Sequence, residues 1–237
     1  MRAVIMAGGR GSRLAPYTTV LPKPLMPLGD RPIIDVLIRQ VVAAGAEGVS
    51  ISVGHLGGII ESWVGREDYG VPVSFLYEDE PLGTAGALRG TDVDGVFLAM
   101  NGDVLTTLSF ADLLAGHHAS GALATVAVTE RTTQVEYGVV HADESGRLVG
   151  LEEKPTLRYT VSMGVYAFDP EVRDLIAPGE AIDFPDLLWR AVEAGRPVSA
   201  HPFEGYWRDI GNPDDYEQAI ADFAEDPGRF IDGAGAA

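Results

Sequence analysis

The chain begins with the stretch Arg2-Ala3-Val4-Ile5-Met6-Ala7-Gly8-Gly9-Arg10-Gly11-Ser12-Arg13-Leu14, a short apolar run that leads directly into a glycine-rich loop. Residues 2–7 predict a buried strand, because almost all of their side chains are apolar. Glycines that follow a strand allow the backbone to approach a ligand closely and to adopt positive φ, so that main-chain N–H groups can surround an anion. The loop that begins at Gly8 is therefore a candidate phosphate-binding loop.

Two common nucleotide-binding patterns are absent from this loop. Gly9 and Gly11 fill the first two places of the G-x-G-x-x-G dinucleotide fingerprint, whereas Leu14 stands where the third glycine belongs. This argues against a nicotinamide-dependent oxidoreductase on a Rossmann core. No Gly-Lys-Ser or Gly-Lys-Thr sequence occurs in the chain, which excludes a P-loop. Taken alone, the loop is also compatible with an ordinary turn.

The residues that follow alternate between short apolar runs and helix-length amphipathic segments, as in βα units around a parallel sheet. Strands are predicted at residues 49–53, 71–77, 96–100 and 123–128, and helices from Pro32 to a stop at Gly45 and at residues 56–64 and 109–118. From residue 137 the pattern changes to an antiparallel hairpin, 137–142 with 147–152. A strand at 160–168, helices at 171–176 and 184–194, short strands around Val198 and Tyr206, a helix at 213–223 and a frayed tail from Gly233 follow.

We therefore predict an α/β protein. The fold is Rossmann-like, with three α/β/α layers, a central, mostly parallel mixed sheet and a small antiparallel lobe. The sequence shows neither an internal repeat nor a linker, so we expect one domain over residues 1–237. Within it, the core occupies about 1–130, the part that contains the lobe about 131–210, and a helix and tail 211–237.

The composition excludes several classes of protein. With 17 Lys and Arg against 35 Asp and Glu the net charge is −18, which argues against a nucleic-acid partner because such partners are bound by basic surfaces. The chain has no cysteine for disulfides or zinc, and its five histidines lack H-x-x-x-H spacing. No apolar run reaches the roughly 18 residues of a membrane helix, and the N-terminus does not resemble a signal peptide. We expect a cytoplasmic protein that does not bind membranes.

Lysine is used at only two positions, Lys23 and Lys154, although the chain contains 15 arginines. Both lysines are followed directly by proline, in Pro22-Lys23-Pro24 and Lys154-Pro155, and proline restricts the local backbone. A chain that otherwise uses arginine, but keeps lysine at two rigid places, indicates a need for a compact ammonium group there. Chance in a lysine-poor composition is the alternative.

Two aspartates follow predicted strands. Asp103 comes after the apolar run 96–100 and Asn101-Gly102, and Asp209 lies in Trp207-Arg208-Asp209-Ile210-Gly211. If the fold brings both carboxylates together near phosphates, they can hold Mg²⁺, which takes few protein oxygens and shares the phosphate oxygens of a substrate. Taken singly, each is also compatible with a turn or a helix cap.

Together these motifs resemble one family, the sugar-1-phosphate nucleotidylyltransferases, over residues 2 to about 220. The matching segments occur in the order Ala7–Leu14, Pro22-Lys23-Pro24-Leu25, Glu80-Pro81-Leu82-Gly83-Thr84-Ala85-Gly86, Gly102-Asp103, Glu153-Lys154-Pro155 and Trp207-Arg208-Asp209-Ile210-Gly211. In that family a sugar 1-phosphate attacks the α-phosphate of a nucleoside triphosphate, and pyrophosphate leaves. The resemblance implies an enzyme with small-molecule substrates and a Mg²⁺ cofactor.

The resemblance also implies roles for individual residues. Catalysis would depend on Arg13 at the leaving phosphates, Lys23 at the α-phosphate and Asp103, and Mg²⁺ would be held by Asp103 and Asp209. The predicted nucleotide contacts are Ala7, Gly8, Gly9, Gly11, Ser12, Arg13, Glu80, Gly83, Thr84 and Gly102. The predicted contacts with the sugar phosphate are Gly138, Glu153, Lys154, Ser162 and Gly164, with Lys154 holding the phosphate.

The base and the sugar remain open at this stage. A carboxylate in residues 78–88, for which we choose Glu80, could accept hydrogen bonds from both N1–H and N2–H₂ of guanine, which favours GTP over UTP, dTTP and ATP. The sequence of this segment resembles that of mannose-1-phosphate and heptose-1-phosphate guanylyltransferases more than that of thymidylyl or cytidylyl members. Ser162 stands where family members commonly have asparagine, so the acceptor could be mannose 1-phosphate, a heptose 1-phosphate or a cyclitol phosphate.

A protein of another class, a non-catalytic regulatory subunit that binds nucleotide-sugar, is the second hypothesis. Such chains usually lose a charged residue of the phosphate site. All of the charged residues predicted for that site are present here: Arg13, Lys23, Asp103, Lys154 and Asp209. The chain ends soon after its last predicted helix, so we expect no C-terminal β-helix of the kind that several family members carry. The helix faces are compatible with a homodimer, although nothing in the sequence requires one.

Overall fold

The computed structural model of the chain describes residues 1–231, and the predicted frayed tail from Gly233 lies outside them. The strands are β1 Arg2–Ala7, β2 Pro27–Leu28, β3 Arg31–Pro32, β4 Gly48–Val53, β5 Val73–Tyr77, β6 Phe97–Asn101, β7 Val104–Thr106, β8 Ala124–Gln134, β9 Gly138–Ala142, β10 Leu148–Glu153, β11 Thr156–Phe168, β12 Val198–Pro202 and β13 Trp207–Asp209. The helices are α1 Ile33–Ala43, α2 Gly57–Val64, α3 Phe110–Ser120, α4 Phe184–Glu193, α5 Pro213–Glu225 and α6 Gly228–Ile231. Short 3₁₀ turns lie at Ser12–Leu14, Tyr17–Thr19, Lys23–Leu25, Gly86–Gly90 and Pro170–Leu175.

Seven strands form one sheet in the order β12-β8-β11-β6-β1-β4-β5. Neighbours run parallel except at β11, which is antiparallel to both β6 and β8. The predicted Rossmann-like α/β fold with a mostly parallel mixed sheet is confirmed. Because the parallel strands are joined by helical crossovers, apolar layers can cover both faces of the sheet.

The alternation of side chains along β1 produces these two layers. Ala3 and Ile5 face a cluster that contains Leu37 of α1, whereas Val4 faces the other cluster, which contains Phe184 of α4. All five side chains are at most 1% exposed. A fully apolar strand with both faces buried is what the opening sequence predicts, and its burial fixes the position of the loop that follows.

Some boundaries differ from the prediction. β8 runs to Gln134 instead of ending at residue 128, and β11 begins at Thr156 instead of 160. The added residues are mostly polar, so a hydrophobic pattern does not reveal them, and backbone pairing between the two strands holds them. The helix predicted at 171–176 is a 3₁₀ turn, Pro170–Leu175, a form that is frequent in short connecting segments.

The outer halves of β8 and β11, together with the hairpin of β9 and β10, form an extension that we call the arm (residues 129–161). The predicted hairpin is confirmed, with Glu153 paired to Gly138. Where the arm joins the sheet, the register of β11 with β8 shifts between Ser162 and Tyr166, and Gly164 in this bulge has φ +70°. A bulge bends a strand and can redirect its side chains. The arm therefore leaves the sheet next to the end of β6.

Over residues 1–231, the longest helix has 13 residues. None of the helices described there combines the length and the hydrophobicity needed to cross a bilayer.

Candidate active site

Two adjoining cavities open at the carboxyl ends of β1 and β6, the edge at which open parallel sheets bind ligands. The first, of about 280 Å³, is lined by Met6, Ala7, Gly9, Gly11, Ser12, Arg13, Lys23, Pro24, Gly102, Asp103 and Gly211. The second, of about 370 Å³, is lined by Met6, Gly8, Gly9, Arg13, Glu78, Pro81, Gly83, Thr84, Asn101, Asp103 and Asp209. They share Met6, Gly9, Arg13 and Asp103. The structure thus brings together most of the predicted nucleotide, catalytic and metal residues.

The glycine loop is shaped by Gly11, whose φ is +60°. A Cβ there would lie 3.0 Å from Cβ of Lys23 and 3.1 Å from Cγ2 of Thr18, so only glycine fits without displacing them. The Thr18 hydroxyl donates to the carbonyl of Gly11 at 2.8 Å, and fully buried Leu14 anchors the following turn. Arg13 is consequently exposed at the cavities, on a loop tied down at both ends.

Lys23 lies in a 3₁₀ turn between two prolines and is 8% exposed. The N–H of Leu25 donates to the carbonyl of Pro22 at 2.8 Å, which closes the turn. The ammonium group of Lys23 donates to Oδ2 of Asp103 and forms an ion pair with it. A rigid turn therefore holds a nearly buried cation against an acidic side chain in the first cavity.

Asp103 and Asp209 are brought together by the antiparallel pairing of β7 with β13. The N–H of Ile210 donates to the carbonyl of Asp103 at 3.0 Å. Burial raises the pKa of Asp209, and the charge of Asp103 raises it further, while Lys23 and Arg13 act in the opposite direction. Two carboxylates thus face each other in a partly buried site, where a cation would relieve their repulsion.

A divalent cation suits this pair of acids. Oδ1 of Asp103 is buried and has no hydrogen-bond partner among residues 1–231, whereas its Oδ2 is engaged by Lys23. In this part of the chain no three His, Cys, Asp or Glu side chains converge on one point. Mg²⁺ does not require three, because it commonly takes one or two carboxylates and completes its shell with water and substrate phosphate oxygens.

Glu78, which was not predicted from the sequence, lines the second cavity together with Asp103 and Asp209. It accepts hydrogen bonds from the hydroxyl of Ser52 and, at 3.0 Å, from the N–H of Leu82. A Cβ at Gly8 would lie 2.8 Å from Oε1 of Glu78, so the glycine loop packs directly on this carboxylate. Glu80 is exposed and lines neither cavity. The missed signal is that Glu78 directly follows β5, at the same edge of the sheet as the glycine loop.

The loop that bears Gly83 and Thr84 is fixed to the start of α4. The N–H and the hydroxyl of Thr84 both donate to Oδ1 of Asp183, at 2.8 and 3.1 Å, and the Thr84 hydroxyl accepts from the N–H of Phe184. Gly83 has φ +73°, and a Cβ there would lie 2.6 Å from the carbonyl oxygen of Ile182. The wall of the second cavity is therefore held in place from behind.

A sequence model of the nucleotidyl transferase family matches residues 2–226. The chain belongs to this family. It is 32% identical to a UTP–glucose-1-phosphate uridylyltransferase from Synechocystis and 35% identical to a mannose-1-phosphate guanyltransferase from Schizosaccharomyces pombe, alignments that cover 93% and 91% of the chain. In each case the chain spans 62% of the relative's length.

The fold of this nucleotidyl transferase is also that of solved structures. HddC from Yersinia pseudotuberculosis complexed with GMP-PN superimposes with a TM-score of 0.73, at 23% identity, over 94% of this chain and 99% of that one. At this identity the likeness concerns the fold alone.

Part of the predicted sugar-phosphate set lies away from the two cavities of the nucleotidyl transferase. Gly138, Glu153 and Lys154 lie on the exposed arm, where a Cβ at Gly138 would be 3.1 Å from Oε2 of Glu153. Lys154 has φ +47°, which is unusual for a residue with a side chain. Thr156 and Ser162 are six strand residues apart, or about 20 Å at about 3.3 Å per residue. Lys154 lines neither of the two cavities, whereas Lys23 lines the first.

The other two predicted sugar residues of the nucleotidyl transferase lie at the base of the arm. The hydroxyl of Ser162 accepts from the N–H of Gly164 at 3.2 Å and is 3.0 Å from the Tyr166 hydroxyl. Gly164 is buried, and a Cβ on it would lie 2.6 Å from Nδ2 of Asn101. Gly164 thus adjoins the second cavity through Asn101, a residue that the sequence reasoning quoted but gave no role.

Proposed function

We propose that this chain is a sugar-1-phosphate nucleotidylyltransferase that uses Mg²⁺ and prefers GTP. The observation that carries the proposal is the convergence of Arg13, Lys23, Asp103 and Asp209 around the glycine loop at one edge of the sheet. This set offers cations and N–H groups to a polyphosphate and two acids to a metal ion. The named relatives, a uridylyltransferase and a guanyltransferase that both act on sugar 1-phosphates, support the reaction class.

In the proposed reaction, an oxygen of the sugar 1-phosphate attacks the α-phosphorus of the triphosphate. A new P–O bond forms, the bond from the α-phosphorus to the oxygen bridging to the β-phosphate breaks, and pyrophosphate leaves with the bonding electrons. The products are a nucleoside diphosphate sugar and pyrophosphate. Such phosphoryl chemistry needs little from a protein beyond alignment and stabilisation of charge.

The first cavity supplies that stabilisation. The loop from Gly8 to Gly11 presents backbone N–H groups to the phosphates, and exposed Arg13 pairs with the leaving pyrophosphate. Lys23 is held at Asp103 and neutralises charge at the α-phosphate. Because these groups are fixed before the substrate binds, little reorganisation is needed in the transition state.

Asp103 and Asp209 would hold the Mg²⁺, with Oδ1 of Asp103 free to accept it. When bound, the ion neutralises charge on phosphate oxygens. Lys23 keeps Oδ2 of Asp103 engaged, which would leave Oδ1 as the oxygen that binds the ion. Arg13 lies on the same side, because a Cβ at Gly211 would be 3.4 Å from Nη1 of Arg13 and 3.2 Å from Oδ2 of Asp209.

For the acceptor we retain Gly138, Glu153, Lys154, Ser162 and Gly164 as the predicted contacts. Gly164 and Ser162 lie at the bulge beside the second cavity. Lys154 is exposed on the arm and lines neither cavity, so we propose that the arm bends toward the cleft to bring its ammonium group to the acceptor phosphate. The bulge at Gly164 supplies a place for such a bend.

The preference for GTP rests on Glu78. A carboxylate can accept two hydrogen bonds from the N1–H and N2–H₂ edge of guanine, an arrangement that uracil, thymine and adenine do not offer. Both oxygens of Glu78 accept one protein hydrogen bond each and retain capacity for a second. Glu80, the residue that we predicted from the sequence, stays exposed outside the cavities, so the proposal moves the guanine contact two residues back.

Pyrophosphate release tests this proposal. GTP, ATP, UTP, CTP and dTTP are each combined with Mg²⁺ and with mannose, glucose, N-acetylglucosamine or heptose 1-phosphate. Turnover restricted to GTP would support the base assignment, and turnover with another base would keep the reaction but reject guanine. No release from any pair, with nucleotide binding intact, would point to a cyclitol phosphate acceptor or to a non-catalytic binding subunit, and release with a cyclitol phosphate would decide between the two.

Two matched variants test whether Glu78 contacts the base. Glu78→Gln removes one acceptor without changing size and is expected to lower kcat/KM for GTP about 10- to 100-fold, the range for hydrogen bonds to charged groups. Glu80→Gln is the control, with a change within about twofold because an exposed side chain away from the cavities makes no such contact. Equal losses in both variants would reject Glu78 as the base contact.

A further inference from the structure

Asn101 lies at the end of β6, two residues before Asp103, and lines the second cavity. Its Oδ1 is buried and has no hydrogen-bond partner within residues 1–231. A buried polar atom without a partner destabilises a protein, so such atoms in native structures usually have a reason that lies outside the fold. The fold gives this carboxamide no donor, although it lies at the site where a ligand would bind.

The surroundings of Asn101 place it between the two halves of the site. On one side is Asp103, at the proposed reaction centre, and on the other is Gly164, in the bulge where the arm leaves the sheet. Gly164 is the residue that leaves space for the carboxamide, because any Cβ there would collide with Nδ2 of Asn101. The indole N–H of Trp207 donates to the carbonyl of Met163 at 2.9 Å, which fixes the segment beside Asn101.

We infer that Asn101 binds a hydroxyl group of the acceptor sugar and helps to select it, an inference that rests on the proposed function. Glu78 and Thr84, next to which the base is proposed to bind, line the same cavity as Asn101, and Asn101 is the lining residue that contacts Gly164 at the base of the arm. The χ2 torsion of asparagine is soft, so a small rotation presents the carboxamide oxygen to the cavity. A sugar hydroxyl has the O–H donor that this oxygen lacks.

Steady-state kinetics with Asn101→Leu test the inference, since leucine has a similar size and branching but no polar atoms. With GTP saturating, kcat/KM for mannose 1-phosphate should fall about tenfold, the size of a typical neutral hydrogen bond. With mannose 1-phosphate saturating, kcat/KM for GTP should change by less than about twofold. Asn101→Ser keeps a hydroxyl acceptor and should give an intermediate loss, which provides a second variant if leucine is tolerated poorly.

Monodeoxy analogues of mannose 1-phosphate identify the contact. For one analogue, kcat/KM of the wild type should fall about tenfold relative to mannose 1-phosphate. The kcat/KM of Asn101→Leu should be the same for that analogue and for mannose 1-phosphate, because the partner of the hydroxyl is already absent. If every analogue lowers kcat/KM by the same factor in the wild type and in Asn101→Leu, the inference is overturned. If 2′-deoxy-GTP or 3′-deoxy-GTP instead lowers kcat/KM in the wild type but not in Asn101→Leu, Asn101 contacts the ribose. The assignment to the acceptor is then also overturned.

Thermal unfolding separates this role from a structural one. Removing an unsatisfied buried polar group should leave the Tm of Asn101→Leu unchanged or raise it. A lower Tm together with the same loss for all substrates would show a packing role and overturn the inference. Ser109→Ala, which removes the N-cap of α3 and lines neither cavity, is the control for destabilisation alone and should leave sugar selectivity unchanged.

The inference and the proposed function can fail separately. If the wild type releases pyrophosphate and Asn101→Leu shows no coupling, the inference fails and the function stands. If no pair of substrates turns over, binding of GDP-mannose is measured by calorimetry. An affinity about tenfold lower for Asn101→Leu would then support the contact and reject transfer to the four sugar phosphates, and no binding by the wild type would reject both.

Discussion

The backbone N–H of Ile210 donates a hydrogen bond of 3.0 Å to the carbonyl of Asp103, and this bond holds together two segments more than one hundred residues apart in sequence. It belongs to the pairing of β7 with β13, which sets Asp209 opposite Val104. The two carboxylates are consequently neighbours because of backbone geometry, before any metal binds. Burial, and after it the charge of Asp103, raise the pKa of Asp209.

Replacing Asp209 with asparagine should therefore reduce activity and increase stability. Activity should fall at least about 100-fold, because an electrostatic group at the reaction centre is lost. In the absence of divalent cations, the Tm should rise, since the variant no longer buries a second negative charge next to Asp103. Asp94→Asn, which makes the same change of net charge on an exposed loop, should alter neither quantity appreciably.

The stability gain should depend on pH. The folded-state pKa of Asp209 lies above its ordinary value of 3.8, so its contribution to stability is full below 3.8 and is lost as the pH rises through the raised value. The difference in unfolding free energy between Asp209→Asn and the wild type should accordingly be near zero below pH 3.8 and grow above it. A constant difference over this range, measured by urea unfolding, would contradict the assignment.

Much of this arrangement can be predicted from the sequence. An apolar run followed by Gly8-Gly9-Arg10-Gly11 indicates a buried strand and an anion loop, and acids placed after strands indicate a site at the edge of a parallel sheet. The structure confirms the fold and brings Asp103 close to Asp209. These features can be predicted because they depend on neighbouring residues in the sequence, namely on apolar runs that are buried, on glycines and on acids that directly follow strands.

Other features depend on contacts that the local sequence does not encode. Glu78 and Glu80 are both acids in one loop, and only the pairing of β5 with β4 places Glu78 beside the hydroxyl of Ser52. The arm is longer than predicted because residues such as Thr132 are polar and are held by strand pairing. No role could be predicted for Asn101 from the sequence, because only the three-dimensional structure shows that its Oδ1 has no hydrogen-bond partner among residues 1–231.

Gly11 and Gly121 offer a matched pair for testing the glycine loop. Their φ values are +60° and +61°, but a Cβ at Gly121 meets nothing within 4 Å, whereas one at Gly11 would be 3.0 Å from Cβ of Lys23. Gly121→Ala should cost about 1–2 kcal/mol from backbone conformation alone and retain activity. Gly11→Ala should cost more and lower kcat about 100-fold, because Lys23 is displaced. Equal effects on unfolding free energy and kcat would show that the contact with Lys23 is unimportant.

Ser52 should influence base selection through Glu78. Ser52 is fully buried on β4 and donates to Glu78, so Ser52→Ala frees one oxygen of the carboxylate to turn away from the base. We expect the ratio of kcat/KM for GTP to that for UTP to fall about fivefold to tenfold, in line with the loss of one hydrogen bond. Ser50→Ala is the control on the same strand, because Ser50 bonds to Ser74 instead. An unchanged ratio in Ser52→Ala would leave the hydroxyl with a packing role only.

The ion pair between Glu180 and Arg190 should stabilise the chain segment that carries Asp183. Nη1 and Nη2 of Arg190 donate to the Glu180 carboxylate, at 2.9 and 2.6 Å, and the N–H of Ala177 donates to it at 2.8 Å. Arg190 first, and then the Ala177 N–H, lower the pKa of Glu180 from 4.5 to about 2.

A carboxyl group with a lowered folded-state pKa stabilises the protein above its unfolded value, and this stability is lost as the pH falls from about 4.5 toward 2. Urea unfolding of the wild type and Glu180→Gln should therefore show a difference at pH 6 that shrinks below pH 4.5. In an Arg190→Met background, most of the difference should vanish at every pH, because the principal partner is gone. A difference that persists there, or that does not vary with pH, would assign the effect of Glu180 to packing and not to its charge.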